Sequence, residues 1–174
     1  MRFNYSAFRA IYLHEMDRFK RTLMQSLLSP VLSTSLYFIV FGSVIGGYVE
    51  KIDGISYGSY IVPGLLMLTL LTQSITNTSF GIFFPKFNGT IYEILAAPIS
   101  TLEIVLAFVG AGATKTLIVG VVIFITANFF VEVDVKYPLL VVFLLMLVAF
   151  TFALFGFLIG LMSSNFEQMS IIRK

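Results

Sequence analysis

The sequence contains no cysteine, which excludes disulfides, cysteine metal sites and thiol catalysis and leaves the redox compartment unwritten. It has a single histidine, His14; on an amphipathic segment a lone imidazole reads as a solvated or interfacial side chain, because a metal site needs several convergent ligands. Charge is equally scarce. Asp, Glu, Lys and Arg together are 11% of the 174 residues, roughly half the share of an average soluble domain. The net charge of +2 gives no polyanion-binding surface, so nucleic acid is not an expected partner. No cofactor motif is present either. Gly110 to Thr116 superficially resembles a phosphate loop, but GxxxxGK[ST] would need glycine at Val109 and Thr114, inside an apolar helix. At the N-terminus the charged region runs to Arg21 with no small-residue cleavage site after a short apolar core, which argues against a signal peptide.

What is there is hydrophobic surface: 58% of residues are apolar. The expected fold is all-α, a polytopic transmembrane helical bundle with an N-terminal amphipathic helix and a short surface helix. Residues 5–23 place Tyr5, Phe8, Ile11, Tyr12, Met16, Phe19 and Leu23 on one stripe and most of Asp17, Arg18, Lys20 and Arg21 on the other side, the pattern of a helix lying on a membrane surface. Apolar runs then predict spans over about 24–49, 60–83, 102–129 and 138–162, each at or above the roughly 20 residues that cross the hydrocarbon core and all but the third free of charge. Pro30 is expected to kink the first. Gly42–Gly46 and Gly156–Gly160 match GxxxG, a weak signal for close helix approach.

The longest polar interruption between spans is Phe83 to Ser100. Pro85 and the pair Asn88-Gly89 are expected to end the second span, Thr90 to Ala97 to make about two helical turns, and Pro98 to stop them, giving a surface helix over about 87–98. So short a helix needs a neighbour, either headgroups or a second protein. Asn88-Gly89-Thr90 also matches a glycosylation sequon, discounted because it falls on the side assigned to the cytoplasm.

Two polar features fall inside spans. Thr69, Thr72, Gln73, Thr76 and Asn77 share one side of the second, which suits either the wall of a translocation path or interhelical hydrogen bonding. Lys115 falls near the middle of the third, where a lysine costs roughly 2.5 to 3.5 kcal/mol on insertion scales. It either snorkels or faces the bundle with a polar partner, for which Gln73 and Asn77 are the candidates. Orientation follows from the basic residues. Arg2, Arg9, Arg18, Lys20, Arg21, Lys86, Arg173 and Lys174 share one side, against Lys51 and Lys136 among acidic loops on the other, so the N-terminus is expected in the cytoplasm.

The order of amphipathic helix, span, short loop, span and surface segment, together with Tyr57-Gly58-Ser59-Tyr60-Ile61-Val62-Pro63-Gly64-Leu65 and the Glu93-x-Leu95-x-x-Pro98-x-Ser100 pattern, resembles the ABC-2 type permeases, membrane subunits of bacterial ATP-binding-cassette exporters. Ser59-Tyr60 before Ile61 is a mild departure. The resemblance implies a bacterial inner-membrane location, a dimer of permease copies, and a separate ATP-binding subunit that uses the ATP. It implies that 87–98 is a coupling helix docking into that ATPase through Lys86, Tyr92 and Glu93, and that the N-terminal helix is an interface helix contributing Glu15 and Arg18. Thr69, Gln73, Asn77 and Lys115 are then candidates for the translocation path. Relatives carry six spans, so the fifth and sixth are expected to be missing from this chain.

The resulting expectation is a non-enzymatic permease subunit that exports an amphipathic cargo, a drug, lipid or lipid-linked saccharide. The alternative is a membrane anchor or assembly protein that transports nothing. An ion-coupled carrier would need carboxylates within its spans, whereas Glu103 falls at a boundary and the other acids in loops or surface helices.

Overall fold

A computed structural model describes residues 3–45, 51–52, 54–131, 133 and 135–173. Gly46, Val49, Glu50, Asp53, Glu132, Asp134, Arg2 and Lys174, which entered the loop, span and charge arguments above, lie outside the described residues, as do the side chains of Gly42, Lys51 and Arg173. The elements are α1 (Tyr5–Arg21), α2 (Leu23–Tyr37) continued by a π-helical stretch (Phe38–Ile45), a two-residue ladder β1 (Lys51–Ile52) with β2 (Ile55–Ser56), then α3 (Tyr57–Asn88), α4 (Ile91–Ala96), α5 (Thr101–Phe130), α6 (Pro138–Met162) and α7 (Phe166–Arg173). Among the described residues four helical segments are long and apolar enough to cross a membrane: Leu23–Phe41, Tyr57–Asn88, Thr101–Phe130 and Pro138–Met162. The protein is a multi-pass α-helical membrane protein.

Helix boundaries follow local chemistry. Asn4 caps α1 by accepting the Ala7 N–H at 3.2 Å, and Ser56 caps α3 through the Ser59 N–H. α5 opens with a capping box in which Ser100 and Glu103 satisfy each other's backbone N–H groups. The rod formed by α1 and α2 is interrupted at Thr22, whose hydroxyl bonds the Arg18 and Phe19 carbonyls. Pro30 lies inside α2 and does not end it.

Pro85 likewise does not end the second span. α3 runs through it to Asn88 and stops at Gly89, which sits at φ 81°, a left-handed conformation that glycine adopts without a Cβ penalty. The proline costs one intrahelical donor near the helix end, where few bonds remain to be lost. The surface helix is correspondingly shorter than 87–98: only Ile91–Ala96 is helical, because Ala97 precedes Pro98 and is forced extended at φ −74°, ψ 151°.

The bundle packs α3, α5 and α6 together, with α1 and α2 along α5. α6 meets α3 through small residues. Ala149, Ala153, Gly156 and Gly160 are all buried, and a Cβ on Gly156 or Gly160 would come within 2.6 Å of the Ile75 or Ser79 carbonyl oxygen. The second GxxxG match is therefore an intrachain contact between α6 and α3. The apolar stripe of α1 packs inward as well: Ile11 joins the cluster around Phe108 and Phe157, and Phe19, Met16 and Leu23 pack on Val119 and Ile123 of α5. Instead of lying on lipid, the stripe covers α5.

Candidate functional site

Three contacts fasten α1 alongside the first half of α5. The Asn4 N–H donates to Glu103, the Tyr12 hydroxyl donates to Thr114 at 2.9 Å, and Lys115 Nζ donates to Glu15 Oε2 at 2.7 Å. Both members of the last pair are buried, at 2% and 3% exposure, so the ion pair replaces water for each charge. Arg18, one turn on from Glu15, donates to the same carboxylate oxygen at 2.8 Å. Gly81 of α3 makes room beneath them; a Cβ there would stand 3.3 Å from Glu15 Oε2.

Next to this cluster is a cleft of about 550 Å³ between α2 and α3, with Arg18 and Lys115 on its wall beside Thr76, Asn77, Phe80 and Phe84. α2 packs on α5, and the π-helical stretch that continues it meets α3 at the far end, where Phe38 packs with Val62 of α3 and Ala127 of α5. The Asn77 amide nitrogen is buried with no hydrogen-bond partner. The site is thus a partly open, cation-bearing cleft with one unmet donor.

The second feature is the turn between α3 and α5. α4 hangs between the two long helices with Ile91 and Ile94 packed against the core cluster and its other face outward: Tyr92 is 73% exposed and Leu95 63%. Glu93 is exposed in its first turn. Just before it, Lys86 Nζ donates to the Leu161 and Ser163 carbonyls at 2.7 and 2.9 Å and so closes the C-terminal end of α6. Phe166 at the start of α7 packs edge-on against Phe83 and Phe87 at centroid separations of 4.8 and 4.9 Å.

Comparison with known proteins decides what kind of bundle this is. The family profile described as ABC-2 type transporter matches residues 6–173, nearly the whole chain. The chain belongs to the ABC-2 type transporter family. It is 36% identical over 166 residues to the inner membrane transport permease YadH of Escherichia coli K12, and equally so to the protein of that name in Shigella flexneri. Those alignments cover 95% of this chain and 65% of the relative, so the chain spans about two thirds of the length of the permeases it matches. No solved structure matches it.

Within this ABC-2 chain the expected residues separate into different environments. Lys115 does face the bundle, but its partner is Glu15 of α1, not Gln73 or Asn77, because the α1 stripe brings a carboxylate over α5 where α3 offers only amides. Glu15 is for the same reason buried rather than displayed on a surface, while Arg18 remains partly open. Lys86 is turned to the α6 carbonyls, away from Tyr92 and Glu93. Of the polar side of α3, Asn77 and Thr76 line the cleft, whereas the Thr69, Thr72 and Thr76 hydroxyls bond carbonyls of their own helix four residues back. Gln73 is half-buried outside the cleft lining. Missed from sequence were Ser74, Thr78 and Ser79, buried where α3 meets α5 and α6, with Ser74 donating to the Ala149 carbonyl, Thr78 against Gly112 and Ser79 against Gly160. Their small size, alternating with glycine and alanine on α5 and α6, was the available signal.

Proposed function

We propose that this chain is the membrane-spanning subunit of an ATP-driven exporter in the bacterial inner membrane, with its N-terminus and α4 in the cytoplasm. The observation that carries the reading is α4 itself. It is a six-residue helix that anchors Ile91 and Ile94 on the core and leaves its other face exposed, held between the ends of two spans by a left-handed glycine on one side and a capping box on the other. Such a helix has no stability of its own and offers Tyr92, Glu93 and Leu95 to a partner. The partner is an ATP-binding chain of the kind that ABC transporters use; Glu93 and Tyr92 are its contacts, with Arg18 at the flank. The permease acts as a pair of copies, and the cargo is an amphiphile that meets the polar side of α3, from Thr69 through Gln73 to Asn77, beside Lys115.

The family membership and the transport-permease relatives support this reading. Its test is affinity purification of the tagged full-length permease from native membranes, with mass spectrometry of what copurifies. An ATPase bearing a phosphate loop is expected to copurify and to be lost from Glu93→Arg, which still inserts in the membrane. If Glu93→Arg retains the ATPase at wild-type levels, Glu93 is not in the interface.

A further inference from the structure

We infer that the cleft between α2 and α3 binds the phosphate headgroup of an anionic membrane phospholipid. Three features argue for it, and none depends on the chain being an exporter. The first is charge. Arg18 and Lys115 share the single Glu15 carboxylate oxygen, so the cluster carries one positive charge in excess. The nearby Asp17 is taken by Lys20 at 3.0 Å and lies in solvent, so it does not compensate. An excess charge on the wall of a largely apolar cleft is costly until an anion meets it.

The second feature is an unmet donor. Asn77 lines the same cleft with its amide nitrogen buried and without a partner, and an acceptor oxygen brought in by a ligand satisfies it with a small rotation. The guanidinium of Arg18, whose side chain is 29% exposed, keeps N–H groups free of Glu15 and has the fork geometry that suits phosphate oxygens. Thr22, Gln25 and Ser26 complete a polar rim.

The third feature is the walls. Phe19, Phe80 and Phe84 line the cleft beside the polar groups, and Phe80 and Phe84 are 37% and 44% exposed toward its open side. A ligand seated here must therefore be polar and anionic at one end and apolar beyond it. At about 550 Å³ the cleft suits a headgroup and the first part of its chains rather than a bare ion. The molecule of that description always available beside a membrane helix is a phospholipid.

The test uses the full-length permease purified in detergent and titrated with phosphatidylglycerol or phosphatidylcholine, with bound lipid counted by native mass spectrometry. Wild type should hold one phosphatidylglycerol in preference to phosphatidylcholine. Arg18→Gln removes a charge-assisted bond and should weaken that preference by roughly tenfold or more. Ser26→Phe obstructs the rim while leaving the Glu15–Lys115 pair intact, so it serves if Arg18→Gln does not fold, and it should lower binding of phosphatidylglycerol similarly. A wild type without preference, or a preference that survives in whichever of the two variants folds, overturns the inference.

Discussion

Removing either partner of the Glu15–Lys115 pair should destabilise the protein unequally, and the inequality follows from Arg18. In Glu15→Leu the ammonium of Lys115 stays 3% exposed and loses its carboxylate, leaving an uncompensated buried charge that costs about 3–5 kcal/mol. In Lys115→Leu the carboxylate keeps Arg18 at 2.8 Å, so the loss is nearer to one charge-assisted hydrogen bond, about 1.5–3 kcal/mol. The double variant removes both buried charges and leaves only Arg18, which is open enough to reach water or a headgroup. It should therefore cost less than Glu15→Leu alone, a strongly non-additive cycle. The assay is unfolding of the purified protein by increasing sodium dodecyl sulfate, followed by far-ultraviolet circular dichroism. Lys115→Leu proving as damaging as Glu15→Leu would refute the reasoning, because Arg18 would then not hold Glu15 when Lys115 is gone; a double variant equal to the sum would refute it too, because the two side chains would then not be coupled.

Other substitutions test the packing that positions these groups. Gly156→Ala and Gly160→Ala drive a methyl into the α3 backbone and should each destabilise by about 1–3 kcal/mol in the same unfolding assay, whereas Gly64→Ala, with open space around it, should be neutral or gain up to about 1 kcal/mol. Gly89→Ala forces a left-handed conformation on an L-residue, costing about 1–2 kcal/mol, and should raise hydrogen exchange in α4 before it affects α3. Lys86→Met removes both bonds to the end of α6 and should lower the unfolding free energy by about 1 kcal/mol while speeding exchange in its last turn.

The spans were legible because an apolar run of sufficient length has few fates other than burial in lipid, even with one lysine in the third, and all four of the membrane-crossing helices begin and end within a few residues of polar or helix-breaking sequence. The stop at Gly89 was legible for the same local reason. Pro85 misled because proline's cost depends on how many intrahelical bonds remain downstream, and only three helical residues follow it. The partner of Lys115 was not legible at all. Glu15 is 100 positions away, and nothing on α1 distinguishes it from the exposed acids until the apolar stripe is known to face α5 rather than lipid. Once that stripe packs on protein, the residue at its edge is carried into the bundle, and a carboxylate there must find a cation.

The same placement bears on how a displacement of α4 by the proposed ATP-binding partner would travel. α4 joins α3 to α5 directly; Lys86 and the Phe83–Phe87–Phe166 cluster tie the end of α3 to α6, and Glu103, Thr114 and Lys115 tie α5 to α1. Gly81, beneath Glu15, brings α3 against α1 as well. These ties include three ion-paired or charge-assisted contacts, at Lys86, Glu103 and Lys115, so the part of the bundle they join resists internal deformation. The weaker joints lie elsewhere along the chain: at Thr22, where α1 and α2 lose helical continuity, and in the π-helical stretch after Phe38, where hydrogen-bond geometry is poorer. A displacement delivered to α4 should therefore tilt α1, α3, α5 and α6 together and be absorbed where α2 leaves the block, which is the wall of the cleft that holds Asn77 and Lys115.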